Sequence, residues 1–275
     1  MAENTKIEWC HHSWSPWEGC TKVSAGCANC YAETRDKQYH SGKHWGANGI
    51  RKMMSESYWK QPLKWNRIAQ QAGTRFRVFP SLCDPFEDRP GLIDVRHRLM
   101  LLIEATPNLD WLLLTKRPEN IGEMVPVKWF RDGFPSNLWI GASVENQETA
   151  DKRIPELLKV PAKVRFLSCE PLFAPLDIST WLPRFVTGCS FSLNPAPLVD
   201  WVIVGGESGS GARPMQADWV CSIRDQCKAA NVPIFIKQMG SEYARRHHFS
   251  DPKGGDWLEW AAEFRFREFP NAQTA

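Results

Sequence analysis

The stretch "GCTKVSAGCANC", residues 19–30, places cysteines at 20, 27 and 30. Cys27 and Cys30 stand in a C-x2-C pair, close enough to turn both sulfurs onto one metal centre. Cys20 returns across a six-residue loop, and Gly19 and Gly26 let the backbone bend tightly there. Three thiolates are an incomplete set for most metals. A structural zinc site closes with four ligands, and here the fourth could come from Cys10, His11, His12, His40 or His44. An iron–sulfur cubane is also commonly held by four thiolates, unless one iron is left open for a substrate or cofactor. From the residues alone, a [4Fe-4S] cluster, a zinc ion and three unligated thiols all remain open.

Other groups could share the chemistry. "WVIVGGESGSGARP" supplies Gly205, Gly206, Gly209 and Gly211, whose backbone N–H groups can approach a ligand, and Glu207, which can bond hydroxyls or an amine. The spacing is not the dinucleotide G-x-G-x-x-G, and a tight turn with a surface glutamate is the plainer alternative. "GASVEN" carries Ser143, Glu145 and Asn146, "LSCEP" carries Ser168, Cys169 and Glu170, and Asp84 follows "PSLC". Glu145 and Glu170 either contact a ligand or pair with Lys116, Arg117 or Arg213. Those three cations with Lys237 suit a phosphate or a carboxylate. The Cys169 thiol can give a hydrogen atom to a substrate radical, or be a small buried side chain. No G-x-S-x-G nucleophile elbow is present, and neither His11–His12 nor His247–His248 has H-E-x-x-H spacing.

The elements that must position these residues recur about every thirty residues. "FRVF" (76–79), "WLLL" (111–114), "LWIGA" (138–142), "VRFL" (164–167), "WVIV" (201–204) and "IFI" (234–236) are apolar on both faces, as buried parallel strands are. A further strand is expected near residues 13–17. Between them, Leu92, Val95, Leu99, Leu102 and Ile103 form one helical stripe, and Trp219, Val220, Ile223 and Cys227 another. Residues 148–158 read as a weaker helix interrupted by Pro155, and a helix starts near Ala28. Strand, loop and helix at this period predict an α/β protein: a partial or closed parallel (β/α) barrel of six or seven units, TIM-like, with a doubly wound sheet as the alternative. All six strands are followed by polar groups ("PSLCDPFE", "TKRPEN", "SVENQE", "SCEP", "GGESGSGARP", "KQMG"), where both folds build their sites. A single domain over 1–275 is expected, with a basic, aromatic-rich insertion at about 36–75 and a loop insertion at about 182–198.

The chain has 275 residues and a net charge of only +3. Between Arg35 and Arg77, however, ten Lys/Arg face two acids, interleaved with Tyr39, Trp45, Tyr58, Trp59 and Trp65. Such a stretch can track phosphates and stack bases, or be a solvated helical face over Trp anchors. No apolar run reaches the roughly 18–20 residues that cross a bilayer, and "MAENTKIEW" has no leader character, so a cytoplasmic, membrane-free protein is expected. Nine cysteines without a leader point to metal or redox use rather than disulfides.

Over almost its full length the chain resembles a phage and prophage three-cysteine-motif family of largely unassigned function with radical S-adenosylmethionine features. "TKIEW", "GCTKVSAGCANCYAE", "LLLTKRPENI", "SVENQETADKRIP", "FLSCEPL", "VDWVIVGGESGSGARPM", "IFIKQMG" and "KGGDW…EFRFREFP" carry the resemblance. The cysteine spacing is C-x6-C-x2-C, where most radical S-adenosylmethionine enzymes have C-x3-C-x2-C. The resemblance implies a [4Fe-4S] cluster on Cys20, Cys27 and Cys30 whose open iron chelates S-adenosyl-L-methionine, and a reducing donor of flavodoxin type. Cofactor contacts then fall to Gly205, Gly206, Glu207, Ser143, Glu145, Ser168, Asp84 and Arg213, and catalytic roles to Cys169, Lys116 and Glu170. The expected activity is radical modification, isomerase-type rearrangement (for instance of a thymine 5-substituent) or repair of a nucleobase in phage DNA, by a monomer in the host cytoplasm. The alternatives are a zinc-stabilised nucleic-acid-binding protein without catalysis and a radical enzyme acting on a peptide or small metabolite.

Overall fold

The computed structural model describes residues 3–183 and 198–270. The chain divides into two compact units, Met1–Gly141 with Val160–Lys163, and Ala142–Lys159 with Val164–Ala275. Seven strands make one sheet in an order that rises along the chain, and the neighbouring pairs with resolved register run parallel. Strand, helix and parallel strand alternate, so the α/β class stands.

In the first unit, β1 (His12–Ser13) pairs with β4 (Phe76–Phe79), which pairs with β5 (Leu109–Thr115); β6 (Leu138–Ser143) follows in the order. Trp111, Leu112 and Leu113 in β5 and Leu138 and Ile140 in β6 are fully buried, the two-sided burial that parallel strands require. The strand expected at 13–17 is two short pieces. After β1 the chain turns into β2 (Trp17–Glu18), which forms a separate antiparallel ribbon with β3 (Lys52–Met53).

Helix α1 (Tyr31–His40) starts three residues later than expected. Residues 25–27 instead make one 3-10 turn, with Cys27 N donating to Ser24 O at 3.0 Å and Ala28 N to Ala25 O at 3.1 Å. Next come α2 (Glu56–Trp59), α3 (Gln61–Gln71), α4 (Ile93–Ala105), α5 (Ile121–Met124) and α6 (Val127–Asp132). The expected stripe on α4 is there: Leu99, Leu102 and Ile103 are buried, with Leu92 just before the helix. Trp59 and Trp65, on α2 and α3, are core residues. Trp14 packs edge-on to Trp59 at 4.9 Å, and Trp65 stacks on His12 at 4.2 Å. These two indoles anchor the basic segment from below and are not free to stack bases.

The second unit holds α7 (Gln147–Leu158), β7 (Val164–Cys169), β8 (Trp201–Gly205), α8 (Ala217–Ala229), β9 (Ile234–Gln238) and α9 (Ser241–Arg246). Pro155 does not interrupt α7: it lies on the exposed face with Asp151 and Lys152, where water can serve the carbonyl that loses its donor. Most of the loop expected at about 182–198 lies outside the described residues. No helix among the described residues is long and apolar enough to cross a membrane.

Candidate metal centre

Gly19 opens the thiol loop. Its N–H donates to Leu82 O at 3.0 Å, its φ is +120°, and a Cβ there would collide with His44 O and press on the Arg51 side chain. Only glycine fits, because the chain passes at backbone distance between two neighbours. Cys20, Cys27 and Cys30 are all half-buried free thiols. Cys30 is the N-cap of α1, so the helix's first N–H groups aim toward its sulfur. Burial pushes the Cys20 thiol up to about 12, and Asp84 adds to this against the opposing pull of Arg117. Burial also raises Cys30, against the Glu33 and Ala32 N–H groups and Lys116. Bare thiolates are therefore disfavoured here, and a bound metal would have to displace the protons.

The cationic side of this loop comes from the end of β5. Arg117 Nη1 reaches Cys20 Sγ at 3.7 Å and Asp84 Oδ2 at 2.7 Å, while Nη2 donates to Thr21 O at 2.7 Å. Burial works against the Arg117 charge, but Asp84 and the Cys20 sulfur outweigh it and raise its pKa. Asp84 is saturated: it accepts from Thr115 Oγ1 at 2.7 Å, Lys116 N at 3.2 Å and Phe86 N at 3.0 Å besides Arg117. It organises the 115–117 turn through these bonds. Behind the loop, Arg51 forms a buried bidentate pair with Glu87 (2.9 and 2.5 Å) and donates to Thr21 Oγ1 and to the carbonyls of His44, Gly46 and Gly49.

Three half-buried thiols beside a guanidinium are a donor set that a multi-iron cluster could use. A tetrahedral zinc with Zn–S of about 2.3 Å needs sulfurs roughly 3.8 Å apart. Among the described residues, the tight cluster of metal-ligating atoms, all within 4.8 Å, is Glu18, Asp36, His40 and His44, and it includes none of the three thiols. The fourth zinc ligands suggested by the sequence lie in other surroundings, His12 among them, with its Nδ1 accepting Asn4 N at 3.2 Å and its ring stacked on Trp65. His40 and His44 lie in that cluster, Cys10 is buried, and His11 Nδ1 accepts Arg77 N at 2.8 Å at the opposite end of β4. Arg117 and Lys116 bring positive charge to the thiol loop.

In the second unit, four strand ends carry the remaining candidates. Glu145, fully buried, accepts from Arg153 Nη1 at 2.8 Å, and the same nitrogen donates to Ser143 O at 2.7 Å. Glu170 pairs with Lys237 at 2.6 Å. Glu207 is buried, not a surface residue, and holds Arg213 through its backbone N (2.8 Å), Nε (3.1 Å) and Nη2 (2.7 Å); that guanidinium lies 4.4 Å over the Phe173 ring. The carboxylates of Glu145, Glu170 and Glu207 thus pair with Arg153, Lys237 and Arg213 in turn. Gly206 N donates to Gln238 O at 2.9 Å, and a Cβ on it would strike Met239 O. Its lack of side chain serves the approach to β9, so the expected ligand-facing N–H is already spent. Ser168, at the end of β7, is buried. Cys169 is fully buried, and burial, then Cys227 and Glu145, raise its thiol well above the ordinary range.

Sequence reasoning missed Glu87, Thr21, Thr115 and Arg153, whose partners lie as far as 96 residues away, and it counts Arg51 among the cations facing nucleic acid, whereas Arg51 is buried against Glu87. The spacing of Asp36, His40 and His44, four residues apart, was the one signal of the His–carboxylate cluster.

No curated protein matches this chain. Similar solved structures are mutants of spore photoproduct lyase. One, with bound AdoMet and dinucleoside spore photoproduct, has a TM-score of 0.46 at 11% identity, covering 91% of this chain and 63% of that one. A second has a TM-score of 0.44 at 13% identity, covering 88% and 61%, and a third 0.40 at 16%, covering 61% and 47%. The chain spans between about half and just under two thirds of the length of these structures. Likenesses this distant transfer no residue role. The match over residues 4–264 is of another order, and by it the chain belongs to the family described as protein of unknown function (DUF5131).

Proposed function

We propose that the chain is an iron–sulfur enzyme of the radical S-adenosylmethionine type acting on a nucleic-acid base. The observation that carries the reading is the loop of three half-buried thiols after the first parallel strand, with the Arg117 guanidinium 3.7 Å from the Cys20 sulfur. When bound, a three-thiolate [4Fe-4S] cluster with S-adenosyl-L-methionine supplies a 5′-deoxyadenosyl radical by one-electron cleavage of the sulfonium. Cys20, Cys27 and Cys30 would hold the cluster. Arg117, fixed by Asp84, would balance its charge, and Lys116 would do so beside Cys30.

In the second unit, Ser143, Ser168, Glu145, Gly205 and Glu207 are assigned to cofactor hydroxyl and amine contacts. There the Arg153 and Arg213 pairs fix the Glu145 and Glu207 carboxylates in place. Glu170 with Lys237 would hold or move a proton at the substrate. Cys169 would give a hydrogen atom only where substrate reaches its buried sulfur. A base is the favoured substrate because Lys60, Lys64 and Arg67 recur at helical spacing along α3 and its N-cap, facing solvent. Modification, isomerase-type rearrangement and repair all fit, with phage DNA as the source of the base. A monomer in a reducing cytoplasm, served by a flavodoxin-type donor, completes the reading.

Oxygen-free purification tests it. About four irons per chain and formation of 5′-deoxyadenosine with reductant and S-adenosyl-L-methionine are expected, both lost in Cys27→Ala. Colourless, iron-free protein with zinc on the thiols would replace the enzyme with a zinc-stabilised nucleic-acid-binding module.

A further inference from the structure

A second cluster of ligating side chains lies beside the thiol loop, and the proposed chemistry does not use it. One ligand atom from each of Glu18, Asp36, His40 and His44 lies within 4.8 Å of the others. The residues come from three pieces of chain: β2, the last two turns of α1, and the turn that follows it. All are sheltered, with side-chain exposures of 7% for Glu18, 3% for Asp36, 30% for His40 and 15% for His44. Asp36 is well bonded: Oδ1 lies 2.6 Å from His44 Nδ1, and Oδ2 accepts the His44 N–H at 3.1 Å.

Glu18 is not. Its buried carboxylate has three basic neighbours, His40 Nε2 at 3.5 Å, Lys52 Nζ at 3.4 Å and Arg35 Nη1 at 3.7 Å. All are longer than the about 2.7–2.9 Å of a charge-assisted hydrogen bond. These long contacts offset part of the Glu18 charge and leave room for a closer ligand–metal bond, which would form in competition with Lys52 and Arg35.

We propose that Glu18, Asp36, His40 and His44 bind a divalent transition-metal ion of the zinc class. Two imidazoles and two carboxylates are the nitrogen and oxygen donors such ions take. Bonds of about 2.0–2.2 Å place tetrahedral ligands roughly 3.3–3.6 Å apart, so the cluster has to close by no more than about 1.5 Å. The ion would clamp β2 to α1 and to the following turn. That turn also bonds the thiol loop, since Gly46 N donates to Cys20 O at 2.9 Å. It is a structural ion, distinct from any cluster on the thiols, and it would set the loop that carries Cys20.

Co2+ is the probe. A chain with Cys20→Ser, Cys27→Ser and Cys30→Ser should bind one equivalent, with visible ligand-field bands and no sulfur charge-transfer absorption. Co2+ at about a hundredfold over its dissociation constant should raise its melting temperature by roughly 4–8 °C. Adding His40→Ala and His44→Ala should abolish both effects. No Co2+ uptake by the triple-serine chain with native circular dichroism, or full uptake after the histidines are gone, overturns the proposal. Should the triple-serine chain fail to fold, the same histidine pair is replaced in the chain with native cysteines. Total metal should then fall by one equivalent with thiol-bound iron unchanged, and an undiminished total overturns the proposal equally.

Discussion

Two residues behind the thiol loop decide whether it keeps its shape. Arg51 and Glu87 have side chains only 2% and 4% exposed, and the guanidinium serves three carbonyls and Thr21 besides its carboxylate. Burial alone would raise the Glu87 carboxyl, but the bonds and charge of Arg51 hold it below the ordinary range. Arg51→Met leaves that carboxylate unpaired and should cost about 3–5 kcal/mol, read by denaturant unfolding; adding Glu87→Leu should return much of the loss. His11 gives the pH dependence. Burial, then Arg77 and His12, lower it from 6.5 to about 4. Between those values the unfolded chain takes up a proton that the folded chain refuses. Its contribution is therefore full above about pH 6.5 and lost as pH falls toward 4. After discounting for solvent screening the loss is about 1 kcal/mol, and thermal melts of His11→Gln, which keeps an acceptor for Arg77 N, should show a flatter slope there.

At the scale of elements, the sequence marks strands more sharply than the turns between them. Each of the six apolar runs lies inside a strand because two-sided burial leaves a run of large aliphatic and aromatic residues with no polar face. The thiol loop was harder to read. Its 3-10 turn and the late start of α1 follow from Cys30 acting as N-cap, a role its side chain does not advertise. Helix α7 is the reverse case, with a reciprocal capping box between Asn146 and Thr149 at its start. Asn146→Ala should remove about 1 kcal/mol of stability, seen as a lower melting temperature, while Pro155→Ala on the exposed face should change little.

For the whole molecule, the basic stretch shows how charge read along a chain differs from charge in space. Of its ten cations, Arg51 pairs with Glu87, Arg75 with Asp110, Lys37 with Glu33, and Arg35 and Lys52 approach Glu18. Lys43, Lys60, Lys64 and Arg67 still face solvent. If α3 tracks phosphates, Lys60→Glu, Lys64→Glu and Arg67→Glu should weaken DNA binding. The slope of log affinity against log salt should become shallower by about 0.9 for each phosphate no longer neutralised. An unchanged slope would remove this face from the partner surface.

Strands, the three-cysteine loop and the polar strand ends were set by local pattern, because periodicity and spacing act over a few residues and survive without knowledge of what packs where. Which carboxylate meets which cation, that Trp59 and Trp65 lie under the basic face, and that Glu18 gathers with Asp36, His40 and His44 were decided by tertiary structure. Those contacts join residues tens of positions apart, so only the packed chain brings them within reach of one another.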